Sequence, residues 1–320
     1  LDVISVSPDY FSLMKQEEKR GQFTIYNGGP ASGTSYLSFN LNRGSRRGQP
    51  LVDPIKSRWF NTVEFRQAVA YAIDRPRMLN NIFRGLGALQ NSPISVQSPF
   101  YFSAEEGLRT YDYNPEKAKE LLRSAGFKYN EAGLLLDAEN HPVRFTLITN
   151  SGNKIRESMG AQIKADLEAI GMQVDFTPIA FNTVVGKLSS SLDWEACLLG
   201  FTGGIEPNGG ANVWRPDGRS HHFNRAALAG DEPIEGRVVS DWETKIGQLY
   251  IQGARTLDET QRKAIYAETQ RITQENLPFI YLVNPLSLSA VRDRVQPIKF
   301  SALSGALWNL YELRIASDKA

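Results

Sequence analysis

The stretch 143–210 constrains the fold most, because strand and helix signals alternate along it with short connections. Phe145, Leu147 and Thr149 alternate with Thr146 and Ile148 in a strand-like run. A helix follows, with Ile155, Met159, Ile163 and Leu167 on one face and Gly171 closing it. Next come a strand over 172–178, a helix over about 181–191, and an apolar strand over 194–200. This β-α-β-α-β order builds a mostly parallel sheet with right-handed crossovers. The run Ala196-Cys197-Leu198-Leu199 lacks polar alternation, which predicts a central strand covered on both faces.

The rest of the chain carries punctuation of the same quality. Phe65, Ala68, Val69, Ala72 and Ile73 form an amphipathic stripe in a helical region over about 63–84. Pro76 interrupts it, so one helix ends near Asp74, which caps a second. Asn114 and Pro115 open another helix, and Gly126 suits its left-handed exit. A last helix covers about 258–275, with Asp258 as cap, Gln261 three positions on, and Pro278 stopping it before a strand over 279–283. Strand-like runs stand at 23–26, 36–40 and 308–313. Two stretches, 89–109 and 202–236, lack periodicity and are rich in Gly, Pro, Ser and Asn. Loops of that length inside a compact domain are usually functional or mobile.

In open parallel sheets ligands sit at loops past the carboxyl ends of the strands. Here those are 150–153, 179–182 and 201–210. The third, Phe201-Thr202-Gly203-Gly204-Ile205-Glu206-Pro207-Asn208-Gly209-Gly210, holds four glycines, which let backbone groups approach a ligand closely. Asn212, Trp214 and Arg215 follow with an amide, an aromatic face and a cation, a mixture that suits a polar solute. The same composition also fits a flexible surface loop. Ser151-Gly152-Asn153 could hold an anion at a helix start, although a plain strand-to-helix turn explains it as well.

Other functions find little support. The 36 Lys plus Arg against 35 Asp plus Glu leave a net charge of +1, without the basic excess of a nucleic-acid binder or a polybasic membrane surface. No apolar stretch approaches the roughly 20 residues of a membrane-spanning helix. The single cysteine, Cys197, lies in an apolar run and reads as a small buried hydrophobe. Three histidines offer little: His141 lies in an exposed turn-like context, and the adjacent His221 and His222 lack a third ligand at metal spacing. No G-x-S-x-G, H-E-x-x-H, phosphate-loop or dinucleotide-binding pattern is present. The expectation is therefore no catalytic residues, no metal and no cofactor.

Four segments, in order, carry a resemblance. Phe65-Arg66-Gln67-Ala68-Val69-Ala70-Tyr71-Ala72-Ile73-Asp74-Arg75 with Gly85, then Tyr113-Asn114-Pro115-Glu116-Lys117-Ala118-Lys119-Glu120-Leu121-Leu122-Arg123-Ser124-Ala125-Gly126-Phe127, then 162–176, then 262–278 ending Glu275-Asn276-Leu277-Pro278, resemble motifs of the family 5 extracellular solute-binding proteins. These are the dipeptide- and oligopeptide-binding components of ABC importers. The resemblance implies an α/β, periplasmic binding protein-like (type II) two-lobed fold. It implies a chain that starts midway, with a partial first lobe over 1–42, a complete last lobe over 43–283 and a return to the first lobe over 284–320. Tyr36-Leu37-Ser38-Phe39-Asn40 resembles the strand of the first crossing and Tyr281-Leu282-Val283-Asn284 that of the return.

What it implies for function follows. The chain would be an extracytoplasmic binding protein, periplasmic or lipid-anchored, that acts as a monomer and delivers a peptide or similar small polar solute to a membrane permease. A hydrolase or a sensor domain on a related scaffold is the alternative. The candidate ligand-binding residues are Phe201, Thr202, Gly203, Gly204, Glu206, Asn212 and Trp214, at the loop past the carboxyl end of the apolar strand, with Tyr36 and Asn40 near the crossing that the resemblance implies. Peptide-binding members usually place an Asp where this chain has Gly203. Either Glu206 or a first-lobe acid takes that role toward an amino terminus, or the ligand is not a free-amino peptide.

Overall fold

A computed structural model describes residues 1–316. The strand Arg144–Asn150 pairs in parallel with Gln173–Ile179 along its whole length. It pairs in parallel with Ala196–Phe201 on its other side, through Leu147 and Ile148. The helix Lys154–Glu168 makes one crossover, and Phe181–Gly186, continued by a π-turn over Lys187–Ser191, makes the other. The finished five-stranded sheet runs Gln173–Ile179, Arg144–Asn150, Ala196–Phe201, Thr34–Phe39, Ile280–Tyr281. Its middle strand is therefore Ala196–Phe201, and Ala196 to Leu199 are all buried, as their unbroken apolar run predicts. Thr34–Phe39 runs antiparallel to both of its neighbours, so the sheet is mixed on that side.

A second sheet is antiparallel and joins the two ends of the described chain. Val3–Ser5, Phe23–Pro30 and Gly87–Leu89 all pair with the long strand Val283–Arg292. The strand Thr34–Phe39 already lies in the first sheet, so the chain changes sheets across Ala31 to Gly33, ahead of the expected boundary at 42. It changes back at Leu282. The run 308–313, expected as a strand, is instead a 3-10 turn at Leu310–Glu312. The backbone N–H of Glu312 bonds the Asn309 carbonyl at 2.8 Å, and the Glu312 carboxylate takes Asn309 Nδ2 at 3.1 Å and Lys299 Nζ at 2.6 Å. These local bonds curl the backbone where it has no ladder partner. The last four residues of the expected return segment lie outside the described residues.

The caps fall where the sequence places them. Asp74, Asn114, Asn153 and Asp258 accept from the backbone N–H three residues on, at 2.8 to 3.0 Å. The arginines of the first motif are structural. Arg66 is buried and donates to the carbonyls of Phe60 and Asn276, while Arg75 donates to those of Gln90 and Tyr111. Burial pushes both guanidinium groups down to about 10, and carbonyl acceptors take the place of water. The rings of Phe39, Phe60, Phe65 and Phe145 interlock in the core, with Phe39 and Phe60 stacked at 4.9 Å.

Candidate ligand-binding pocket

The central strand ends at Phe201 and hands over to the glycine loop. Its course is set by close packing against the segment that joins the two sheets. A Cβ on Gly203 would stand 1.6 Å from the Ser32 carbonyl oxygen, and one on Gly200 2.4 Å from that of Thr34. Only glycine fits at either place. Ser32 Oγ also donates to the Gly203 carbonyl at 3.2 Å. Past the loop, a 3-10 turn over Pro207–Gly210 leads into the short helix Ala211–Trp214. The concavity so formed encloses about 450 Å³, within the range of small-molecule sites.

Seven of the sequence-proposed residues meet in its wall: Phe201, Thr202, Gly203, Gly204, Glu206, Asn212 and Trp214. Tyr36 and Asn40 do not reach it. Tyr36 lies behind, 4.9 Å ring to ring from Phe201 and 4.5 Å from Phe279, and desolvation raises its hydroxyl pKa well above the ordinary value. On the same strand face, two residues earlier, Thr34 takes the wall position. Asn40 is buried further on, where its Nδ2 donates to the carbonyls of Leu192 and Trp194 at 3.1 Å each. The loops 150–153 and 179–182 contribute nothing to this wall. The helix start after Ser151 is satisfied internally, by Asn153 and by Glu157, which accepts from Gly152 N at 2.8 Å.

Several wall residues escape a sequence reading because they arrive from distant elements. Ser32, Thr34, Ile94, Tyr250, Phe279 and Tyr281 are examples. Trp214 stacks on Tyr250 with rings 6.3 Å apart and meets Phe279 edge-on, so much of its surface is already covered. Phe201, half-buried, is backed by the parallel ring of His222 at 5.8 Å. Burial, helped by the charge of Arg225, pushes the His222 imidazole down to about 4 and keeps it neutral at pH 7. Its neighbour His221 is fully buried and ties the loop to the helix Asp241–Arg255, with Nδ1 2.8 Å from the Val213 carbonyl and Nε2 2.9 Å from Glu243. Burial raises the Glu243 carboxyl, but the bonds from His221, Ser240 and Asn224 outweigh it and leave it below its ordinary value.

Glu206 is spoken for. Its carboxylate accepts from Asn208 N at 3.2 Å and from Arg262 Nη2 at 2.5 Å. Arg262 in turn donates to the Gly253 carbonyl and lies over the rings of Phe100 and Tyr266. Away from the pocket, Asp137, Glu139 and His141 bring ligand atoms within 4.8 Å of one another, and His141 is half-buried rather than exposed. A cation is already present there, because Arg58 pairs with Glu139 and lies 3.8 Å from Asp137. Asp137 also accepts from Trp59 Nε1 at 3.0 Å.

A mixed-sheet α/β layer with its pocket past the carboxyl end of the middle strand, joined by two crossings to a second sheet, defines a binding scaffold of the type II periplasmic class. Residues 1–220 match the model of the bacterial extracellular solute-binding proteins, family 5 Middle, and the chain belongs to that family. It is 28% identical over 285 residues to a "Probable ABC transporter-binding protein" of Deinococcus radiodurans, covering 85% of this chain and 45% of that one. The chain thus spans a little under half the length of that curated relative. Among solved structures it resembles the oligopeptide-binding protein AppA of Bacillus subtilis in complex with a nonapeptide, with a TM-score of 0.77 at 21% identity, over 99% of this chain and 56% of that one. It also resembles the periplasmic binding protein MelB of Agrobacterium fabrum in complex with stachyose, with a TM-score of 0.81 at 18% identity, over 99% and 49%. Both likenesses establish the fold.

Proposed function

We propose that this chain captures a peptide or a similarly small polar solute outside the cytoplasmic membrane and delivers it to the permease of an ABC importer, binding it without turnover. The observation that carries the reading is the concavity of about 450 Å³ at the end of the middle strand, walled by a glycine loop, aromatic rings and neutral polar groups. That composition holds and orients a solute. The names of its relatives, an ABC transporter-binding protein and an oligopeptide-binding protein, point the same way.

In this reading about 34–282 forms the last lobe, starting ahead of 43 because Thr34–Phe39 lies in its sheet, while the segments before and after it belong to the first. The pocket faces the cleft between the lobes, where closure buries the solute. The protein acts as a monomer, in the periplasm or held near its permease by a lipid anchor. Among the described residues no helix is long and apolar enough to cross a membrane. Native mass spectrometry of the purified full-length protein tests the proposal. A one-to-one complex with an intact small polar solute is expected. A solute released chemically altered after incubation would replace binding by catalysis.

A further inference from the structure

The ionic character of the pocket narrows the solute class. Among the residues lining it, Glu206 is the one with a formal charge, and its carboxylate is held by Arg262 at 2.5 Å. Arg262 is fixed from behind by the Gly253 carbonyl at 2.9 Å and by the ring of Phe100, whose centre lies 4.9 Å away. The pair presents no net charge. Gly203 cannot supply another, because a side chain there would run into the Ser32 carbonyl oxygen at 1.6 Å. The buried Tyr250 and Tyr281 hydroxyls stay protonated, since desolvation raises both far above the ordinary value. An ammonium or a carboxylate entering this wall would lose water without gaining a free counter-ion, which is strongly unfavourable.

What the wall does offer is neutral. Ser32, Thr202, Ser220 and Asn212 bring hydroxyl and amide groups, each able to donate and accept. Thr34 also lines the wall, but its hydroxyl is buried behind the surface and does not meet a solute. The half-buried ring of Phe201 completes the site with an aromatic face. A ring with C–H faces and a rim of hydroxyls matches both features.

We infer that the pocket takes an uncharged, polyhydroxylated solute of the saccharide class in preference to a free-amino peptide; this rests on the solute-binding reading above. Thermal unfolding of the full-length protein, freed of bound solute and then given millimolar maltotriose, raffinose or trialanine, tests it. At least one of the two saccharides is expected to raise the midpoint by about 2 °C or more, and trialanine to leave it unmoved. Thr202→Val, which keeps the shape and removes an exposed wall hydroxyl, is expected to weaken the saccharide about tenfold. A midpoint raised by trialanine, and lost in Phe201→Ala, overturns the saccharide class but leaves the solute-binding reading standing. No shift from any of the three also overturns it. A saccharide shift unchanged in both Thr202→Val and Asn212→Ala puts the sugar elsewhere and overturns its assignment to this pocket, while the solute-binding reading stands.

Discussion

At the scale of single residues, the two glycines at 203 and 204 differ sharply although they are neighbours. A Cβ at Gly203 collides with the Ser32 carbonyl, whereas one at Gly204 meets nothing within 4 Å. Gly203→Ala should therefore destabilise by about 1–3 kcal/mol through forced displacement of backbone, and Gly204→Ala should stay within about 0.5 kcal/mol of the parent in urea unfolding. Equal costs would mean that the loop is not packed on the crossing segment. His222 makes a second prediction. Its folded-state value of about 4 lies below the ordinary 6.5, so the unfolded chain binds more protons between those pH values. Its contribution is complete above pH 6.5 and is lost as pH falls toward 4. His222→Phe keeps a ring against Phe201 and should flatten the fall of the urea midpoint across that window; an unchanged slope would contradict the assignment. At this scale the sequence showed the loop residues, because their composition is unusual. It could not show that Arg262 holds Glu206 or that Thr34 takes the place expected of Tyr36, since both depend on contacts between distant segments.

Secondary-structure elements were most legible where a cap and a periodic stripe agreed. The helix Pro115–Ser124 has both, with Asn114 accepting from Lys117 N at 2.9 Å and Ala118 and Leu122 buried on one face. Asn114→Ala should cost about 1 kcal/mol, read from urea unfolding, while leaving solute affinity unchanged because the helix is remote from the pocket. An effect on affinity would contradict that separation. The helix Asp241–Arg255 starts at a capping box of Ser240 and Glu243, but Gly247 and Gly253 stand on its buried face and dilute the apolar stripe. Those glycines have packing reasons: a Cβ at Gly247 would meet Pro216 at 2.8 Å, and one at Gly253 the Tyr266 ring at 2.7 Å. Helix Pro8–Gly21 was hidden for a different reason. Its apolar residues crowd the first half, and Tyr10 and Leu13 stay largely exposed, so no continuous face forms. The run 308–313 alternated like a strand but lacked a partner, and alternation alone does not make a ladder.

For the molecule as a whole, the order of elements over 143–210 was enough to give the parallel unit, its middle strand and the end of the sheet that carries the pocket. The antiparallel strand Thr34–Phe39 and the second sheet follow from pairings across nearly the full chain, as between Val3 and Val291, which no local pattern encodes. The central claim is that the solute is held where the middle strand meets the glycine loop. Isothermal titration of the full-length protein with the solute that co-purifies tests this most directly, comparing the parent with Phe201→Ala and Asn212→Ala. The account predicts that each variant folds and that each loses affinity by about tenfold or more, the effect of removing a stacking face or a buried hydrogen bond. Parent-like affinity in both would contradict it.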